Sequence, residues 1–327
     1  MTSPLELPHR LLVAIGGNAT HPEDIAGTSE EQAIIAAQTA KALLPLTTLD
    51  NELVLTHGNG PVVGKILMRQ VLTRDRIAPM PLDICVAHSQ GGIAYLLMQA
   101  IESALREIGN PRHVAALLTQ VEVAADDPAF DNPGKPIGAF YSEEDAALIG
   151  KELGWRMAED AGRGWRHVVP SPKPLHICDV SLVQELSRRG TIVIAGGGGG
   201  IPVIRSDNGV RKGVSAVIDK DLTSALMANV INIPIMMILT AVHHVAIHFG
   251  TPQQQMLDTV SLSELRRYQQ EGHFPVGSMG PKVDAAIRFL EGGGQRVIIA
   301  HIDDAIAALR GDTGTHILAD DELPDIV

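Results

Sequence analysis

Residues 11–18 read Leu-Leu-Val-Ala-Ile-Gly-Gly-Asn, a short apolar run that stops at a glycine turn. The same punctuation recurs twice. Glu52 to Thr56 leads into His57-Gly58-Asn59-Gly60-Pro61, and Thr191 to Ala195 ends in five glycines, Gly196 to Gly200. Runs this short and apolar suit strands covered on both faces. Between them lie stretches with helical signals. Ser29-Glu30-Glu31-Gln32 reads as a capping box opening a helix to about Leu49, a second helix runs to about Thr73, and a third from about Ser89 to Ile108. Strand, turn and helix in alternation predict an α/β fold, a three-layer sandwich around a central, mainly parallel sheet. Ligands of such sheets sit beyond the carboxyl ends of the strands, so the three glycine turns are expected to converge on one site.

Strand-like residues resume at His113 to Val123. From 124 to 166 the alternation breaks, with Asp126-Asp127-Pro128, Asn132-Pro133-Gly134-Lys135-Pro136 and Gly162-Arg163-Gly164 punctuating a stretch that holds both tryptophans. It reads as an inserted, protruding subdomain. Afterwards Ser206-Asp207-Asn208-Gly209 marks a hairpin turn. Helices are expected at about 219–229, 261–271 and 279–291, and strands at 235–240, 296–300 and about 316–318. The whole chain reads as one domain, with an N-terminal lobe to about residue 204 and a C-terminal lobe from about 205 to 327.

The chain has 327 residues and a net charge of −12, which excludes nucleic acid or an anionic membrane as its general partner. Aromatics are only 3%, so the core must be aliphatic. Two cysteines, Cys85 and Cys178, cannot build a disulfide framework or a cysteine zinc site. No signal peptide is read at the start, and Ile233 to Val242, interrupted by Pro234, is too short for a membrane span. A cytoplasmic location is expected.

A glycine turn between strand and helix brings backbone N–H groups close to a phosphate, and the helix N-terminus adds a favourable dipole. Neither G-x-G-x-x-G nor the P-loop pattern occurs in these turns, so any phosphate loop is of another type. In an acidic chain, lysines set among turns stand out. Lys220 lies between Asp219 and Asp221 at a helix start, Lys282 follows Gly280-Pro281 at another, and Lys135 sits between Gly134 and Pro136.

At this point the residues resemble the carbamate kinases of the amino-acid kinase superfamily. The motifs that carry the resemblance are GGNA at 16–19, THGNGP at 56–61, PLD at 81–83, SQG at 89–91, DDPAF at 126–130 and NPGKPIG at 132–138. VVPSPKP at 168–174, GGGGIPV at 197–203, AVIDKDL at 216–222 and EGHFPVGSMGPKV at 271–283 continue it. It spans about residues 11–317, and the block around Lys135 is similar to the family's protruding subdomain. The resemblance implies reversible phosphoryl transfer, ATP + carbamate to ADP + carbamoyl phosphate, with Mg²⁺ bridging the phosphates. In arginine or purine catabolism it would run toward ATP. Lys220 and Lys282 would stabilise the moving phosphoryl group, Asp221 would orient them, and Lys135 would reach the carbamate end. Gly16, Gly17, Asn18, Gly58, Asn59 and Gly60 would hold the small substrate. Gly197, Gly198, Ser278, Met279 and positions 241 and 243 would line the nucleotide side. A homodimer is also implied.

The chain departs from the family where the segment after the late strand usually reads L-T-D-V-D-x-V-Y followed by an Asn. Here Ala241, His243, Ala246 and His248 replace the two aspartates, the tyrosine and the asparagine. His244 and His248, four apart on a continuing strand, would stand about 13 Å apart, too far for one ion, with His243 on the other face. No protein-built metal site is expected. Two alternatives to the kinase reading stay open: a phosphotransferase using another small acid or donor, and a non-catalytic binder of carbamoyl phosphate or nucleotide.

Overall fold

The computed structural model describes residues 8–22, 25–47, 51–160, 162–275 and 277–320. Its centre is an eight-stranded sheet in the spatial order Thr259–Ser261, Thr315–Leu318, Arg296–His301, Ile235–Thr240, Arg10–Ile15, Glu52–His57, Ile192–Ile194, Val114–Ala116. Every neighbouring pair is parallel except Arg296–His301 with Thr315–Leu318. Arg10–Ile15 lies between Glu52–His57, which follows it, and Ile235–Thr240, which opens the other half of the sheet. A crevice at such a reversal of strand order is where ligands of open α/β sheets bind.

The period of two along Arg10–Ile15 separates the layers. Leu11, Val13 and Ile15 pack with residues of the helices Ser29–Leu43 and Leu82–Glu107, whereas Leu12 and Ala14 face the side covered by Lys220–Val230 and Gly280–Glu291. Both faces are buried, as the uninterrupted apolar run requires. Leu82–Glu107 is apolar and long enough to cross a membrane by length and composition alone. It instead buries one stripe, including Ile93, Ala94, Leu97 and Ile101, against the sheet and the neighbouring helices.

Residues 135–169 carry a separate three-stranded antiparallel sheet, Lys135–Tyr141, Trp165–Val169 and Met157–Glu159, with the helix Glu143–Leu153. It rests on the helix Gly60–Thr73 through two glycines. A Cβ on Gly64 would stand 2.1 Å from Gly138 Cα, so the backbones touch where any side chain would part them. Ile201–Arg205 and Arg211–Gly213 form the hairpin around Ser206–Gly209, within a four-stranded sheet.

Some boundaries differ from the sequence reading for identifiable reasons. The capping box is Thr28 with Glu31, one residue earlier than Ser29-Glu30-Glu31-Gln32 suggested, because Thr28 takes the extended cap conformation and accepts from Glu31 N at 3.2 Å. That helix ends at Leu43, a 3₁₀ turn Leu44–Leu46 follows around Pro45, and residues 48–50 lie outside those described. The third helix starts at Leu82, seven residues before Ser89, with Pro81 as its extended N-cap. The stretch 113–123 is two short strands, Val114–Ala116 and Gln120–Glu122, in different sheets.

Candidate active site

The three glycine turns meet at the carboxyl end of the sheet. Gly16 N donates to Leu239 O at 2.8 Å and Gly58 N to Ile15 O at 3.0 Å, which seats each turn against the neighbouring strand. A Cβ on Gly58 would lie 2.9 Å from Gly17 N, so glycine there lets the first two turns touch. Asn59 is the N-cap of Gly60–Thr73 but does not cap it with its side chain; its amide donates to Ser89 Oγ at 2.8 Å. Pro61 has no N–H, and the first-turn N–H groups of Gly60 and Val62 therefore remain available to an anion. Asn18 lies in the single helical turn Gly17–Thr20, and its side chain lies outside the described residues.

The third turn is clamped from two sides. Gln90 donates to Gly197 O at 2.8 Å and accepts from Thr119 N at 2.7 Å, while Thr119 Oγ accepts from Gly196 N at 2.8 Å. Thr223, one turn into Lys220–Val230, donates to Gly199 O at 2.8 Å. The Ser89-Gln90 pair thus orders two of the three turns, one through Asn59 and one through Gly197.

Lysine and aspartate side chains close the site. Asp219 caps Lys220–Val230: its Oδ1 accepts from Asp221 N at 2.9 Å and Leu222 N at 3.3 Å, and its Oδ2 accepts from Lys135 Nζ at 2.8 Å. Asp221 accepts from Lys220 with one oxygen and from Lys282 Nζ, at 3.4 Å, with the other. Three ammonium groups from separate parts of the chain are thereby gathered on two adjacent carboxylates. Burial alone would raise the Asp219 carboxyl, but Lys135, by charge and hydrogen bond, with Lys220 and Lys282 behind it, holds it well below the usual range. Burial, with repulsion from Lys282, lowers the Lys220 ammonium, and Asp221 opposes the change.

These groups border a cavity of 890 Å³. Its wall includes Gly17, Gly58, Asn59 and Gly60, all three lysines, Asp221, Gly198 and Ser278; Gly16, Gly197, Met279, Ala241 and His243 are not part of that wall. Three wall residues had no clear sequence signal. Asp219 reads only as a helix cap until Lys135 meets it. Asp284 lies one turn into Gly280–Glu291, and Arg166 falls in the insertion. Arg166 pairs with Asp160 at 3.1 Å and donates to Gly138 O at 2.9 Å, while its Nε is buried without a partner among the described residues. His57 is wholly buried, and its Nδ1 lies 3.1 Å from Gly58 O. Burial, with Lys220 nearby, lowers its pKa to about 4, so it is neutral at pH 7.

The sequence pattern described as the amino acid kinase family matches residues 9–301. The chain belongs to the amino acid kinase family. Among its relatives, the carbamate kinase of Pyrococcus furiosus is 47% identical over 94% of this chain and 99% of that one. The carbamate kinase-like protein YahI of Escherichia coli is 47% identical over 94% of this chain and 98% of its own. A carbamate kinase from Giardia lamblia, solved bound to AMP-PNP, superposes with a TM-score of 0.85 at 39% identity, covering 95% of this chain and 99% of that one.

In this amino acid kinase family member the segment after Thr240 does not continue as a strand. Residues 241–244 turn away, and Val245–Ile247 forms a separate antiparallel pair with Gln255–Leu257. The continuing strand on which His244 and His248 would stand about 13 Å apart is therefore absent. His248 takes a left-handed conformation, φ 51°, with its ring edge-on to His273, and His244 lies 3.4 Å from Asp258. His243 instead reaches across to Asp304 and stacks on His301. Only the register of Ile235–Thr240 with Arg296–His301 brings those positions together, and sequence spacing carries no trace of it.

Proposed function

We propose that the chain is a carbamate kinase, transferring a phosphoryl group reversibly between ATP and carbamate, and that the cavity beyond the glycine turns is its active site. The observation that carries the reading is the gathering of Lys135, Lys220 and Lys282 on Asp219 and Asp221 at that cavity. Phosphoryl transfer asks a protein mainly for in-line positioning and charge neutralisation. In the ATP-forming direction a β-phosphate oxygen of ADP attacks the phosphorus of carbamoyl phosphate. The bond from phosphorus to the carbamate oxygen breaks and its electrons leave with carbamate, so no protein acid or base is needed.

Lys220 and Lys282 stabilise the charge on the moving group, and Asp221 fixes both ammonium positions. Lys135 comes from the inserted sheet and serves the carbamate end. Gly16, Gly17, Asn18, Gly58, Asn59 and Gly60 hold the small substrate through backbone and amide groups, in an N-terminal lobe reaching to about residue 204. Gly197, Gly198, Ser278, Met279, Ala241 and His243 belong to the nucleotide side, in the lobe from about 205. The protein oxygens suit a hard cation only in part, because both Asp221 oxygens already face lysines. Asp219, whose oxygens already accept from Lys135 and from two helix N–H groups, would approach Mg²⁺ only as a further ligand, so the ion would be carried mainly by the phosphates and would supply charge neutralisation there.

The reading includes a homodimer in the cytoplasm. Exposed Ile84 and Tyr95 on Leu82–Glu107, with Leu118 beside Gly91, offer an apolar patch suited to a second copy. The test of the function is a substrate panel with ADP, Mg²⁺ and carbamoyl phosphate against acetyl phosphate and other acyl phosphates. Preference for carbamoyl phosphate supports the reading. Preference for another donor moves the chain to a neighbouring phosphotransferase activity, and binding without turnover makes it a binder.

A further inference from the structure

His301 ends the strand Arg296–His301 and pairs in register with Thr240, the last residue of Ile235–Thr240. Each strand then runs into a loop at the same edge of the sheet. His243 stands three residues beyond Thr240, and Asp304 closes the 3₁₀ turn Ile302–Asp304 that follows His301. The His243 ring bonds to Asp304 through Nδ1, and the His243 and His301 rings stack with centroids 4.8 Å apart and planes 27° from parallel. One donor atom from each of the three residues lies within 4.8 Å of the others.

We propose that His243, His301 and Asp304 form a binding site for a borderline divalent transition ion of the Zn²⁺, Co²⁺ or Ni²⁺ class, separate from the cation that accompanies the nucleotide phosphates. Two imidazoles and one carboxylate are the donor set such ions prefer over Mg²⁺, which favours oxygen alone. An ion pair accounts for His243 with Asp304, and Asp303 N donates to His301 Nδ1 at 3.3 Å; neither contact brings the two rings together, which a shared cation does. Tetrahedral donors around zinc stand about 3.3 Å apart, so the donors farthest from one another must close by about 1.5 Å, while the bonded His243 and Asp304 atoms must part to admit the ion. His243 can supply that movement. Its side chain is 66% exposed, whereas Asp304 is mostly covered at 27% and His301 at 26%. The site is thus a held pair with one swinging arm, open to solvent for entry. The backbone contact from Asp303 N to His301 Nδ1 fixes the orientation of the ligand ring. A bound ion would tie the loop after Thr240 to the loop after His301.

The test is equilibrium binding of Zn²⁺ to tag-free protein in excess Mg²⁺, with Co²⁺ absorption as a second readout. The expected result is one saturable ion per chain, visible d–d bands with Co²⁺, and a rise in melting temperature on loading. His301→Ala and Asp304→Ala should each weaken binding at least ~10-fold, while His248→Ala binds as wild type. His243→Ala, which alters an exposed side chain and leaves the fold intact, should abolish the Co²⁺ bands. The proposal is overturned if wild type shows no saturable ion in excess Mg²⁺, if the His243, His301 and Asp304 variants bind as wild type does, or if His248→Ala alone removes the ion.

Discussion

Asp219 holds Lys135 at 2.8 Å across 84 positions of sequence while its other carboxylate oxygen caps the helix that begins at Lys220. One side chain therefore joins the inserted sheet to the helix that presents Lys220 and Asp221. Capping and cross-linking can be separated by substitution. Asp219→Asn keeps an acceptor for the cap and loses the ion pair; Asp219→Ala loses both. Urea unfolding should find the alanine variant less stable than the asparagine variant by about 1 kcal/mol, the worth of a cap. Both should raise KM for carbamoyl phosphate. The folded carboxyl sits below its unfolded pKa, so its contribution is full above the ordinary carboxylate range and is lost as pH falls below it. Acid unfolding of Asp219→Asn should accordingly lack that part of the wild-type loss.

Lys220 is charged at some cost to folding, since burial lowers its pKa. Lys220→Met removes that cost along with the cation. Turnover should fall by ~10²–10³-fold, the range seen when a group aimed at developing charge is removed. Melting temperature should fall only modestly, because Asp221 loses one partner but still faces Lys282. A melting temperature that falls in step with activity would assign Lys220 a structural role.

The contact of Gly64 with Gly138 sets the height of the strand that starts at Lys135. Gly64→Ala inserts a methyl group into backbone and should lower kcat/KM. The loss acts through Lys135, so the double variant Gly64→Ala, Lys135→Ala should be little worse than Lys135→Ala alone, with a coupling beyond the additivity of independent sites. Additive losses would disconnect the glycine contact from the site.

His57 is buried and neutral at pH 7, with a folded pKa of about 4 against 6.5 for the free side chain. A depressed folded pKa means its contribution is present above pH 6.5 and is lost as pH falls toward 4. The full effect for one such group is about 3 kcal/mol. His167, also lowered by burial to about 4, adds to the same window. Stability measured from pH 7 to 4 should decline steeply, and His57→Gln should flatten part of the decline. An unchanged slope in that variant would place the acid sensitivity elsewhere.

The parallel sheet was legible because its strands are buried on both faces and end in glycine, so Leu11 to Ile15, Glu52 to Thr56 and Thr191 to Ala195 announce themselves locally. Lys220 and Lys282 were legible for a similar reason, being lysines at helix starts in an acidic chain. Long-range pairing was not. That Lys135 meets Asp219, that Gln90 clamps Gly197, and that His243 finds His301 and Asp304 depend on strand order and register, which no local pattern encodes. The strand expected at 235–240 forms with those bounds, but whether it continued toward His248 was not legible, because an apolar framework of period two cannot distinguish one strand from two short ones.

The most direct test of the central claim is ATP formation from ADP and carbamoyl phosphate with Mg²⁺, comparing wild type, Lys220→Ala and a no-enzyme control for spontaneous decomposition. The account predicts saturable turnover in wild type and a loss of ~10²-fold or more in Lys220→Ala. Folded wild-type protein that forms no ATP at saturating nucleotide, or a Lys220→Ala variant that turns over like wild type, would contradict it.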